Sequence, residues 1–142
     1  MSGRGQVVKA MVLIRRPRDG ALLVSVGVNQ AGELFQRPLG GHVELGERAQ
    51  GTIEREIAEE IGQELTGVRL AGVLENIFSW DGVIQHEVVF VFSAGFADEA
   101  AYEVTDQAVR DAASPTRVIW RPARATTPPL YPDGVGELAG RL

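Results

Sequence analysis

Most of this chain reads as strand and turn, but between Glu47 and Ile61 the pattern changes. Ala49, Ile53, Ile57 and Ile61 recur every fourth residue with charges between them, and Gly62 follows directly. That period gathers the apolar residues on one stripe of a helix, and a glycine just past the end can take the left-handed conformation on which many helices close. An amphipathic helix needs a partner for its stripe, and the flanking segments supply one. Residues 6–15 and 21–28 are rich in Val, Leu and Ile, with turn chemistry from Pro17 to Gly20 between them, and read as a hairpin. Residues 29–40 carry Gly32, Pro38 and the first glycine of the Gly40–Gly41 pair, and read as a loop with at most one short strand. Residues 68–78 and 84–96 are β-branched and aromatic, meet at Asp81–Gly82, and read as a second hairpin. An acidic, irregular stretch over 97–116 leads to a short strand, Arg117 to Arg121, and a last short helix from about Asp133. Strands alternating with one central and one terminal helix predict an α/β sandwich on a mixed β-sheet, and 142 residues fit a single domain over 1–142.

The same helix carries the chemistry. Glu56, Glu59 and Glu60 stand at i, i+3 and i+4, so their carboxylates leave one side of the helix, beside the apolar stripe. Like charges at that spacing destabilise a helix by roughly 0.2–0.5 kcal/mol per pair. Two of the three also lie in the last turn, where the helix dipole favours cations. A bound divalent cation reverses both effects, and hard oxygen ligands suit magnesium (Mg2+) or manganese (Mn2+). Gly40 and Gly41 allow backbone to approach a metal or a phosphate without a Cβ in the way. Glu47, at the start of the helix, suits the positive end of the dipole and is placed to pin Arg55 two turns on. The competing reading of a glutamate-rich helix face is simple solvation.

Charge narrows the partners. The chain has a formal net charge of −5, so it offers no basic field for a nucleic-acid polymer. A small phosphorylated molecule needs only a cation and a few local basic groups. Thirteen of the fourteen basic residues are arginine, Lys9 being the single lysine. With no cysteine, disulfides, thiolate nucleophiles and cysteine-bound zinc are excluded. Lys9 interrupts the apolar run Val7 to Ile14, and Val88 to Phe92 is too short to span a bilayer, so no membrane partner and a cytoplasmic location are expected. The domain is expected to fold alone or as a small oligomer such as a homodimer.

The residues Gly41, Glu47, Arg55, Glu56, Ile57, Glu59, Glu60 and Gly62, at their spacing in this chain, resemble the Nudix box, with Gln63 as the one departure where the family usually has an aliphatic residue. The resemblance implies an α/β/α sandwich and a magnesium-dependent hydrolase that directs water at a phosphorus of a nucleoside-diphosphate derivative. It implies Glu56, Glu59 and Glu60 as metal ligands, the Gly40 carbonyl as a further ligand, and Arg55 with Glu47 as an orienting pair. The base that activates water varies among members; Glu56 is one candidate, and a loop acid before the last strand is another. Residues 114–119 contain no acid, and Glu99, Glu103, Asp106 and Asp111 lie upstream. The family markers for ADP-ribose and for some dinucleoside polyphosphates are missing after the box, where Phe78, Ser79 and Trp80 stand. A nucleoside triphosphate, normal or oxidised, is then the leading substrate, followed by a dinucleoside polyphosphate or a nucleotide-sugar. A nucleotide-sensing module without turnover is the alternative.

Candidates for the substrate pocket lie outside the box. Phe78 and Trp80 flank the second turn and can stack on a base or pack in the core. His86 shares a strand face with Val88 and Phe90 and can line a base pocket or remain half-exposed, while Glu87 on the opposite face reads as a surface or cross-strand charge. Arg37, beside Pro38, can reach a phosphate or stay solvated.

Overall fold

A computed structural model describes residues 5–103, 106–108 and 117–142. Its strands are β1 (Val7–Leu13), β2 (Leu22–Val28), β3 (Leu34–His42), β4 (Leu65–Trp80), β5 (Val83–Phe96), β6 (Asp106–Ala108) and β7 (Arg117–Arg121). Helix α1 (Ala49–Ile61) follows β3, and α2 (Val135–Gly140) closes the chain. The strands form one mixed sheet in the order β4-β5-β1-β3-β2-β7-β6, in which, among the described residues, β1 and β5 are the one parallel pair of strands.

The two faces of β1 explain the layering. Ala10, Val12 and Ile14 turn to one side, where they pack with Ile53, Ile57 and Ile61 of α1 and with Phe92 and Phe96 of β5. Met11 and Leu13 turn to the other, against Val89, Val91 and the α2 residues Val135, Leu138 and Ala139. From Ala10 to Ile14, where it is buried on both faces, the chain reads as an unbroken apolar run. The sheet thus has a helix on each face, the expected α/β/α sandwich. Helix α1 starts near its expected position and ends on Gly62, whose φ of 69° and N–H bond to the Ala58 carbonyl at 3.0 Å are those of a left-handed cap.

Two expectations about the strands need correction. β1 and β2 do not form a hairpin ladder, because β3 lies between them in the sheet; only the bridge Arg15–Leu22 joins their near ends. A strand as buried as β1 has to pair on both edges, and it does so with β3 and β5. The segment assigned to a loop over 29–40 holds most of β3, a nine-residue strand at the centre of the fold. Its turn-forming residues have other uses. Pro38 stands where β3 changes partner, with Leu34–Pro38 facing β2 and Leu39–His42 facing β1. The glycines answer close approaches: a Cβ on Gly40 would run into the Ala10 carbonyl of β1.

The second hairpin is present and longer than expected. β4 and β5 pair from Leu65↔Phe96 to Trp80↔Val83, and their turn has Asp81 at φ 55° and Gly82 at φ 77°, two positive values that match the right-handed twist of the strands.

Candidate active site

Helix α1 leans on β3, and the acids of its outer side face a cleft of about 470 Å³. Glu56, Glu59 and Glu60 form one wall, Gly40, Gly41 and His42 of β3 the floor, and Lys9 and Arg37 the basic side. Glu56 passes so close to β3 that a Cβ on Gly41 would sit 2.5 Å from its Cδ and Oε1. The second glycine therefore leaves room for a carboxylate. Contacts under 3.0 Å would force the glutamate out of place.

Arg55 organises the wall. Its Nε and Nη2 donate to the two oxygens of Glu47 at 2.8 and 3.0 Å, and its Nη1 donates to Glu56 at 2.9 Å and to Glu59 at 3.4 Å. The two-point grip on Glu47 is the geometry a planar guanidinium favours. Glu47 also accepts from the Thr52 hydroxyl at 2.7 Å and from the Glu44 amide at 3.2 Å. The bonds from Arg55 and then Thr52 hold its carboxyl down to about 2. The arginine in turn has its pKa raised, chiefly by the bond to Glu47. The pair expected two turns apart is in place.

Glu60 differs from its neighbours. It is half-buried, and burial together with a hydrogen bond to Glu56 and the charge of that carboxylate pushes its carboxyl up to about 8, against a smaller pull from Arg37. Among the described residues no three acidic or histidine side chains converge on one point. Two of the glutamates are turned onto Arg55 instead. The donor set nevertheless suits a hard divalent cation: a carboxylate wall in which burial and a neighbouring carboxylate push one member towards its neutral form is the environment in which a cation restores charge.

Beyond Lys9, Met11 and Arg37, which belong to both, a larger groove of about 850 Å³ continues from the cleft. Phe78 and Trp80 of β4 line it, together with Phe35 of β3 and Tyr131. The rings of Phe35 and Tyr131 are 5.5 Å apart, and the loop bearing Tyr131 is tied to β3 by the bonds Gln36 N–H to Pro129 O and Tyr131 N–H to Gln36 O, both 2.9 Å. Phe35 lies across Gly27, where a Cβ would meet its ring.

The candidates thus fall into three groups. Glu56, Glu59, Glu60 and Gly40 share the cleft, Arg37 joins the cleft to the groove, and Phe78 and Trp80 lie in the groove. His86 lies in neither: it is on the other face of β5, with Nε2 3.4 Å from Glu75. The alternation of the strand puts Glu87 in the groove instead, only 8 % exposed, with its Oε2 2.8 Å from Lys9 Nζ and its Oε1 accepting from Asn76 Nδ2 at 3.1 Å. Of the two readings of Glu87, the cross-strand charge holds and the exposed surface charge does not, while His86 takes the face of β5 turned away from the groove. Lys9, Asn76, Phe35 and Tyr131 were not anticipated in the pocket. Lys9 and Glu87 each interrupt an apolar strand, and a charge in such a place signals a buried partner. Of the acids considered as a loop base, Asp111 and the side chains of Asp106 lie outside the described residues; Glu99 and Glu103 are on a short 3-10 helix.

Comparison with known proteins agrees with this architecture. MutT4 of Mycobacterium tuberculosis, named as a mutator protein, is 32 % identical over 109 residues, covering 76 % of this chain and 41 % of its own length. This chain therefore spans about two fifths of that relative. Among solved structures, the MutT NUDIX hydrolase from Burkholderia pseudomallei superposes with a TM-score of 0.69 at 24 % identity over 96 % of both chains. The MutT protein from Methanosarcina mazei Go1 gives 0.63 at 20 % identity, over 96 % of this chain and 91 % of its own. At such identities the structural likeness speaks for the fold. The NUDIX domain model matches residues 5–131, every strand of the sheet and all of α1, and by that match the chain belongs to the NUDIX domain family.

Proposed function

We propose that this protein is a divalent-cation-dependent hydrolase that cleaves the pyrophosphate linkage of a nucleoside-diphosphate derivative, with a nucleoside triphosphate, normal or oxidised, as the leading substrate. The observation that carries the reading is the pairing of two unlike cavities. A cleft with an acidic wall and a basic side, Lys9 and Arg37, opens into a groove lined by Phe35, Phe78, Trp80 and Tyr131. A phosphate chain fits the first and a flat heterocycle the second.

Glu56, Glu59 and Glu60, with the Gly40 carbonyl, would hold the cation, magnesium or manganese. When bound, the cation neutralises charge that develops on the phosphate oxygens, the main means of lowering the barrier in phosphoryl transfer. The rest falls to the chain's own side chains. Arg55, anchored on Glu47, keeps Glu56 and Glu59 aimed along the wall. Arg37 is placed to meet phosphate oxygens, and Glu56 is a candidate to take the proton of the attacking water. Aromatic rings hold the base and fix the register of the phosphates against the acids.

The test is release of phosphate or pyrophosphate from a panel of nucleoside triphosphates, a dinucleoside polyphosphate and a nucleotide-sugar, with magnesium and with excess chelator. Release that needs the cation is expected. Tight binding with no turnover of any compound would favour the nucleotide-sensing module.

A further inference from the structure

A slot that only stacks a ring has no need of an ion pair in its floor, yet the groove has one. Glu87 of β5 is almost fully buried between Lys9 of β1 and its cross-strand partner Asn76 of β4. Apolar residues would be cheaper to bury there, since desolvating two charges often outweighs their attraction. The three side chains also have spare hydrogen-bonding capacity. Each carboxylate oxygen has two acceptor sites, and here each has one protein partner. Asn76 donates its amide to Glu87 and keeps its carbonyl as an acceptor. Lys9 belongs to the acidic cleft as well as the groove, whereas Asn76 and Glu87 belong to the groove alone. Past Lys9, then, the floor offers acceptors and a carboxylate to whatever ring enters.

We propose that Glu87, held by Lys9 and Asn76, is the specificity-determining residue of this site, and that it selects nucleobases bearing an exocyclic amino group over their keto counterparts. The inference rests on reading the site as that of a nucleotide hydrolase. An amino group donates an N–H to the carboxylate; a keto oxygen at the same ring position sets a lone pair against it. Hydrogen bonds to a charged partner are the stronger kind, so a preference of about 10- to 100-fold is expected. Because the base is held in ground state and transition state alike, the preference falls on KM more than on kcat.

Two matched pairs test it, ATP against ITP and CTP against UTP, each exchanging amino for keto and, with it, a bare ring nitrogen for a ring N–H. Steady-state kinetics of the wild-type protein with magnesium should favour the amino member of both pairs. Glu87→Gln, whose amide can donate as well as accept, should bring both ratios towards one, with the keto member gaining. A melt of the variant shows whether it folds, and if it does not, the wild-type ratios decide. Ratios near one, or favouring keto, with robust turnover overturn the inference and leave the hydrolase reading standing. Should none of the four be turned over, the wider panel above judges the hydrolase reading, and calorimetric affinities for the same four compounds judge the amino preference separately.

Discussion

The acidic cleft and the aromatic groove adjoin one another and are built in opposite ways. Every acid of the cleft comes from one continuous stretch, Glu44 to Glu60, on a helix and the turn that enters it. The groove takes Lys9 from β1, Phe35 from β3, Asn76, Phe78 and Trp80 from β4, Glu87 from β5 and Tyr131 from a loop near the end of the chain. A site on one helix is set by local geometry, since residues three and four apart share a side whatever the rest of the chain does. A site on several strands depends on sheet order and on which face each residue takes, and a one-residue error in phase moves a side chain to the far side. The difference teaches that the cleft is robust in construction and the groove adaptable in content.

If that contrast is real, damage to the two regions should look different. The largest effect outside the carboxylate wall is expected for Arg55→Ala. It removes the common donor to Glu47, Glu56 and Glu59, and groups that orient metal ligands typically contribute 10- to 100-fold. kcat/KM should fall by about that factor, with a matching rise in the magnesium concentration needed for half activity. Retained activity at ordinary magnesium would separate Arg55 from the wall. In the groove, Trp80→Ala should raise KM by about 5- to 100-fold, as expected for loss of one base-stacking ring, with little change in kcat. His86→Ala should change neither constant, because His86 lies on the opposite face of β5. The reverse pattern, with His86 affecting KM and Trp80 silent, would contradict the placement of the groove.

The sequence spoke clearly where one period ruled. α1, its glycine cap and the bond between Glu47 and Arg55 follow from spacing alone, as does the turn at Asp81–Gly82. It misled where a residue's usual role was overruled by a neighbour distant in sequence. Pro38 and Gly40 suggested a loop, yet they belong to a central strand because β3 changes partner at one and meets the Ala10 carbonyl at the other. The pairing of β1 with β5 joins segments far apart in the chain, so no local pattern could report that Lys9 meets Glu87. For the same reason His86 was expected in the groove and Glu87 was not. The face of β5 that borders the groove is decided by α2 and β1, which pack Val89 and Val91 on the side of Glu87.

The central claim, that a carboxylate wall acts through a divalent cation on a phosphate chain, is tested most directly at Glu60. The measurement is kcat/KM of the wild type and of Glu60→Gln with magnesium titrated, beside a thermal melt of each protein free of metal. Glu60→Gln keeps the shape of the side chain and removes its capacity for negative charge, so at least about a 100-fold loss is expected, only partly recovered at high magnesium. The melts should nearly coincide, because the metal-free carboxyl is already held towards its neutral form by burial and by Glu56. Near wild-type turnover by the variant, or full activity of the wild type in excess chelator, would contradict the account.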